Sequence, residues 1–279
     1  MAVNELSQPN KMRLLVRAVI GLIGIALAVI AVALYFRWPV VSDFWPWTGY
    51  YASLSPLSYY FLSSIAAAIC APILWIAITD KLHAAGPGAI NLLLSFIGIG
   101  IFMFQGYAAD PANNRLLVSA LLMSGVVVAI LVSYWLGRNM PSHDFRPLPA
   151  PVKYSFYVFI VALIIVGGRL ILKNPDVLPW PISVEGSIVY GWIFLGASAY
   201  FIFAVLKPGW ENAAGQLLGF LVYDLVLILP FIRHFSDVQP QHLLSHIIYT
   251  AVVVYSGLLA IYYLFINRDT RFFGSKPTA

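Results

Sequence analysis

Charge is what this sequence has least of: only 10% of its residues are Asp, Glu, Lys or Arg, while 61% are hydrophobic. Soluble domains carry about 25% charged residues. A chain this apolar would expose large greasy patches to water and associate, which excludes an ordinary soluble globular fold. Cysteine is almost missing as well. Cys70 alone can form no internal disulfide and no paired-cysteine metal motif, and within its apolar stretch it reads as a small packing residue. No Asn-x-Ser/Thr sequon occurs anywhere, which fits a bacterial origin. Also missing are a Walker A loop, a Gly-rich dinucleotide turn, a Ser elbow and a paired-aspartate phosphate motif. Phosphoryl and hydride chemistry have no visible apparatus, and ATP-driven transport would need a separate ATPase subunit. The formal charge of +5 does not point to nucleic acid, because the basic residues are scattered over loops and helix ends.

What the chain has in plenty is long apolar runs. A span needs roughly 20 of them, and eight segments qualify: 14–36, 57–79, 87–107, 116–137, 154–172, 184–206, 213–233 and 243–266. They are continuous rather than alternating, so helices are expected and a barrel is not. The expected fold is an all-α polytopic transmembrane helix bundle of about eight spans, forming a single transmembrane domain over residues 1–279. The intervening stretches are too short for a soluble domain with its own core. Lys11, Arg13 and Arg17 before the first span resemble a signal-peptide n-region, and Ala31-Val32-Ala33 offers a cleavage pattern. The run from Ala18 to Phe36 is longer than a signal-peptide core, which favours an uncleaved span over a seven-span product.

Basic residues set orientation. With the N-terminus inside, eleven of the sixteen Lys and Arg fall on cytoplasmic segments and five (Arg37, Arg115, Arg169, Lys173, Arg233) on outer ends. The expectation is therefore a multi-pass protein of the cell membrane with both termini cytoplasmic. Trp45-Pro46-Trp47, Tyr50-Tyr51 and Trp180 stand in outer loops, at the headgroup level where aromatic belts form. The lipid bilayer and other membrane subunits are the expected partners, with no nucleic acid.

The two halves echo each other. Trp45-Pro46-Trp47 and Pro56-Leu57-Ser58 lead into span two, and Pro179-Trp180-Pro181-Ile182-Ser183 leads into span six. Ala84-Ala85-Gly86 precedes span three and Ala213-Ala214-Gly215 opens span seven. Asp144-Phe145-Arg146 follows span four and Asp269-Thr270-Arg271-Phe272 follows span eight. These matches suggest a four-plus-four parallel repeat, with half-repeats 1–137 and 152–266 joined by the Pro-rich loop 138–151. The competing reading is that Trp/Pro interfaces and small residues recur in any membrane protein.

Asp224 lies near the middle of span seven, in Phe220-Leu-Val-Tyr-Asp224-Leu-Val-Leu-Ile-Leu-Pro230. A carboxyl at the bilayer centre costs roughly 2.5–3.5 kcal/mol, so it invites a functional reading: proton relay, cation ligand or substrate contact. The structural alternative is interhelical glue. Arg169, the one cation inside a span, can snorkel outward or pair down with Asp224. Gly215 and Gly219 form a small-xxx-small pair that lets a helix approach closely. Asp224 lies about 140° round the helix from Gly219, so one packing seam cannot cover both. Pro230 removes an amide and is expected to kink the helix.

The remaining constellation is His242 and His246, one helical turn apart, with His234 and Asp237 just before them. Such a set can hold zinc or copper, bind a haem or accept protons; interfacial packing is the plainer reading. A bare HxxxH lacks the zinc-protease glutamate. Bis-histidine haem would need a second His at similar depth, but His83 and His143 lie on the other side. The function expected is that of a non-catalytic permease for a small solute or lipid, or a subunit of a membrane complex. The alternative is a metal- or haem-dependent membrane enzyme using the outer His cluster; no cofactor is otherwise indicated.

Overall fold

The computed structural model describes residues 8–39, 55–137, 144 and 146–272. The Trp/Tyr group at 45–51, linker residues 138–143 and Phe145 lie outside the described residues. Every regular element is helical, with no strand among the described residues. Eight helices are long and apolar enough to cross a membrane. They are α1 (Gln8–Tyr35), α2 (Pro56–Thr79), α3 (Ala85–Ala109), α4 (Asn114–Gly137), α5 (Ala150–Ile171), α6 (Val184–Leu206), α7 (Trp210–His234) and α8 (Leu243–Ile261), which continues into a π-turn, Tyr262–Ile266. The chain is a multi-pass helical membrane protein. Eight crossings return it to its starting face, called here the terminal face; the other is the distal face.

Helices pack as the pairs α1–α2, α3–α4, α5–α6 and α7–α8, and across the halves as α3–α6 and α2–α7. The result is two layers, α1-α2-α7-α8 and α4-α3-α6-α5. Exchanging each helix with the one four places on maps this pairing onto itself. Aromatic residues fill the space between layers: Phe61 of α2 stacks on Phe194 of α6 (5.7 Å between centroids), and Phe159 of α5 meets Phe220 of α7 (5.0 Å). The outer faces of α1 and α4 stay exposed and apolar, as lipid-facing helices require.

Local geometry repeats with the pairing. At the end of α1, the N–H groups of Phe36, Arg37 and Trp38 donate to Val32, Leu34 and Ala33 (3.0, 3.1 and 2.8 Å). At the end of α5, Leu172, Lys173 and Asn174 donate to Gly168, Leu170 and Arg169 (3.0, 3.0 and 3.1 Å). Each pair of corresponding residues lies 136 positions apart. Arg37 and Lys173 both turn into the left-handed region (φ 53° and 64°) to close the helix. The connection after α1 is 20 residues and that after α5 is 12, so the spacing then drops to 128. At that spacing Ser55 and Ser183 cap α2 and α6, their hydroxyls accepting from Ser58 and Gly186 (3.3 and 2.9 Å). A β-carbon on Gly219 would meet the Ala68 carbonyl of α2, and one on Gly196 would meet the Asn91 carbonyl of α3. Ala68 and Gly196, and Asn91 and Gly219, are again 128 apart.

Candidate functional site

Asp224 is buried at mid-height in α7. Counting from the ends of the helix at about 1.5 Å per residue puts it roughly 21 Å from Trp210 and 15 Å from His234. It faces α8. Its Oδ2 accepts from the Ser256 hydroxyl (2.9 Å), which is also within reach of the Val252 carbonyl (2.8 Å). Gly257, the next residue of α8, leaves the room: a β-carbon there would stand 3.4 Å from Asp224 Cβ. Asp224 Oδ1 is buried without a hydrogen-bond partner. A hydroxyl bond to a charged group is worth about 1.5–3 kcal/mol, so Ser256 roughly offsets the insertion cost of the carboxyl and leaves the second oxygen unsatisfied.

Above Asp224, towards the distal face, Tyr223 and Tyr249 join α7 to α8 through their hydroxyls. Phe61 of α2 packs edge-on against the Tyr223 ring (6.3 Å between centroids). Higher still, the buried His246 bonds the Phe231 carbonyl through Nε2 (2.9 Å). A carbonyl only accepts, so Nε2 carries the hydrogen and Nδ1 is left with its lone pair. That Nδ1, like Nδ1 of the buried His242, has no hydrogen-bond partner.

The residues expected to matter are thus distributed over two seams of α7. Gly219 lies against Ala68, and Gly215 sits by Tyr200, Pro72 and Trp75, all on the α2 and α6 side. Asp224 lies on the α8 side. Pro230 is buried and does not end the helix, which runs on to His234. Arg169 is exposed at the distal end of α5, away from Asp224, whose partner is Ser256. His234, Asp237, His242 and His246 are not gathered into one metal set. Among the described residues no group of three or more His, Cys, Asp and Glu is placed to hold an ion. The rings of His234 and His246 meet edge to face (5.2 Å), but His246 is turned inward to Phe231 and Asp237 is exposed.

Sequence reasoning missed a second buried polar group, on the terminal face. Asp144, in the linker, takes Lys81 (3.1 Å) and both Nη2 and Nε of Arg146 (2.6 and 2.8 Å). Lys81 also faces Glu211 at the start of α7 (3.9 Å), and Arg146 donates to the Asp269 carbonyl after α8 (3.2 Å). Burial pushes the Asp144 carboxyl up, but hydrogen bonds and positive charge from Arg146 and Lys81 outweigh it and hold the carboxyl at about 2. One signal was legible: Glu211 and Asp144 are two of few acids in a chain where each needs a partner. Their common partner Lys81 lies 63 residues before Asp144 and could not be read from spacing.

No family model, no curated protein and no solved structure matches this chain.

Proposed function

We propose that the chain is a non-catalytic membrane permease for a small solute, built as a tandem duplication, in which Asp224 binds and releases a proton. The observation that carries this reading is the buried Asp224 carboxyl, held at mid-membrane by one hydroxyl with its other oxygen unpartnered. Intramembrane carboxyls of this kind mark proton and ion pathways. The duplication is supported by the helix pairing and by matched caps and close approaches at constant spacing. Transporters built from parallel repeats hold their substrate and ion sites near the midplane, at the interface between the repeats. Asp224 shares the mid-height and the helix of such sites: α7 packs on α2 of the other half along one seam, and along its second seam it turns Asp224 to α8 of its own half. Its counterpart 128 residues earlier is Phe96, so the duplicated scaffold carries one such acid. The excess of Lys and Arg on terminal-face segments sets both termini in the cytoplasm.

The test is reconstitution into vesicles loaded with a pH-sensitive dye, challenged with gradients of sugars, amino acids, carboxylates and amines. At least one solute should drive proton movement through the native protein. Asp224→Asn should lose that movement while eluting as the same monodisperse species. Proton movement in Asp224→Asn equal to that of the native chain would reject the reading. So would a native protein that moves neither protons nor solute.

A further inference from the structure

Three polar atoms are buried without a partner on one side of one helix pair: Nδ1 of His242, Nδ1 of His246 and Oδ1 of Asp224. Each residue is at least nine-tenths buried, at 6%, 0% and 5% exposure. Leaving a buried polar atom unmet costs about 1–3 kcal/mol, so three along a single seam call for a common reason. His242, which caps α8, and His246, Tyr249 and Ser256 on it succeed one another at intervals of four, three and seven residues. That is about 6, 4.5 and 10.5 Å of rise, on nearly one face. The first lies at the distal end of the helix and the last touches Asp224. Tyr223, bonded to Tyr249, is the chain neighbour of Asp224.

We propose that this α7–α8 seam is the route by which protons from the distal side reach Asp224, entering at His242 and His246 and passing through the Tyr249–Tyr223 pair. The proposal rests on the permease reading and adds sidedness to it. A proton from distal water adds to the Nδ1 lone pair of His246 while Nε2–H stays on the Phe231 carbonyl. It leaves from the same Nδ1 by way of a water, which bridges to the Tyr249 hydroxyl because that nitrogen has no protein partner. Tyr249 gives its own hydroxyl proton to the bonded Tyr223, and Tyr223 passes its own through a second water to the Asp224 carboxylate, whose Oδ1 has no protein partner. Each hydroxyl gains one proton and loses one, and charge moves without any bond between heavy atoms being made or broken. Phe231 stands within the route, its ring 5.1 Å from His246 and 5.2 Å from Tyr249. The ionisable groups round the entrance are His234, Arg233 and Asp237. Those facing the inner end are Tyr223 and Tyr249, with Tyr190 of α6 in the same cluster. No Lys or Arg bonds to Asp224 among the described residues.

The experiment needs no knowledge of the solute. A membrane-permeant carbodiimide adds to a protonated carboxyl and spares the carboxylate, so labelling of Asp224, read by mass spectrometry, reports its protonation. Oriented vesicles holding the full chain are clamped at one pH inside and another outside. Labelling should fall about tenfold for each pH unit of distal-side alkalinisation beyond its midpoint, and should ignore the terminal side. Tyr249→Phe, which removes one oxygen from a helix face that otherwise packs the same, should abolish this distal control, and His246→Gln should do likewise. Labelling that follows the terminal side in the native chain would overturn the route. Distal control that survives intact in correctly folded Tyr249→Phe would overturn it too. Asp224 unlabelled at every pH on both sides would instead remove the proton-binding reading itself.

Discussion

Asp144 and Asp224 are both buried acids, and their surroundings set them to opposite tasks. Asp144 meets two cations and accepts from both, so its charge is matched. Its carboxyl is held at about 2, below the roughly 3.9 of an unfolded chain. The stabilisation this supplies is therefore fully present above about pH 4 and is lost as pH falls through about 2. Asp144→Asn leaves Lys81 and Arg146 facing a neutral amide. It should lower the thermal midpoint in detergent at neutral pH by the equivalent of about 2–3 kcal/mol. The gap between variant and native protein should close on acidification; a gap independent of pH would contradict the ion-pair account. Asp224 meets a single hydroxyl, and Ser256→Ala would strip it of that. The seam should loosen by about 1–3 kcal/mol in the same assay. Ser256→Thr, which keeps the hydroxyl, should recover most of the loss provided its methyl is accommodated.

Among the helices, glycines give close approach both within a half, as Gly167 and Gly191 do between α5 and α6, and where the halves cross. Gly219 of α7 and Gly196 of α6 each bring their helix onto a backbone carbonyl of the other half, so the side chain removed is the one that would push apart the two central helices of a layer. Gly219→Ala and Gly196→Ala should each destabilise the protein by about 1–3 kcal/mol, since one methylene in a filled contact forces a backbone shift. Gly125 of α4 has nothing within 4 Å of its would-be β-carbon. Gly125→Ala should be neutral or gain up to about 1 kcal/mol from helix propensity. Equal effects at all three positions would show that propensity, not packing, governs them. Both α2 and α7 carry an internal proline, and Pro72 lies 3.7 Å from the would-be β-carbon of Gly215. Their shared seam thus combines a small residue with a missing amide.

For the whole molecule, the eight candidate spans among the described residues put both ends on one face, which the proposed function sets in the cytoplasm. Reporter domains fused at either end should give the same compartment, and membrane-impermeant labelling of a cysteine placed at exposed Asp237 should report the other. Opposite results at the two ends would mean that one apolar helix does not cross. The terminal-face network joins Lys81 of the first half, Asp144 and Arg146 of the linker, Glu211 of the second half and the backbone at Asp269. It ties the ends of both halves together on a single face. On the distal face the corresponding place is taken by aromatic rings and histidine, with Trp180 against Phe231 and Tyr249.

Residue order alone was enough for the number of spanning helices among the described residues, their limits to within six residues, and the oddity of Asp224. Length and hydropathy decide what a bilayer accepts, and a mid-span acid is costly wherever its helix packs. Helical periodicity also required Gly219 and Asp224 to lie on separate seams. Which helix covers each seam was decided by tertiary structure. Ala68 meets Gly219 from a helix about 150 residues earlier in the chain, and Ser256 meets Asp224 from 32 residues later. The histidines read as a metal set because their spacing permits one; packing turned His246 inward onto the Phe231 carbonyl and left Asp237 in solvent. Contacts made across long separations depend on which helices lie side by side within a layer, and that is a property of the bundle as a whole.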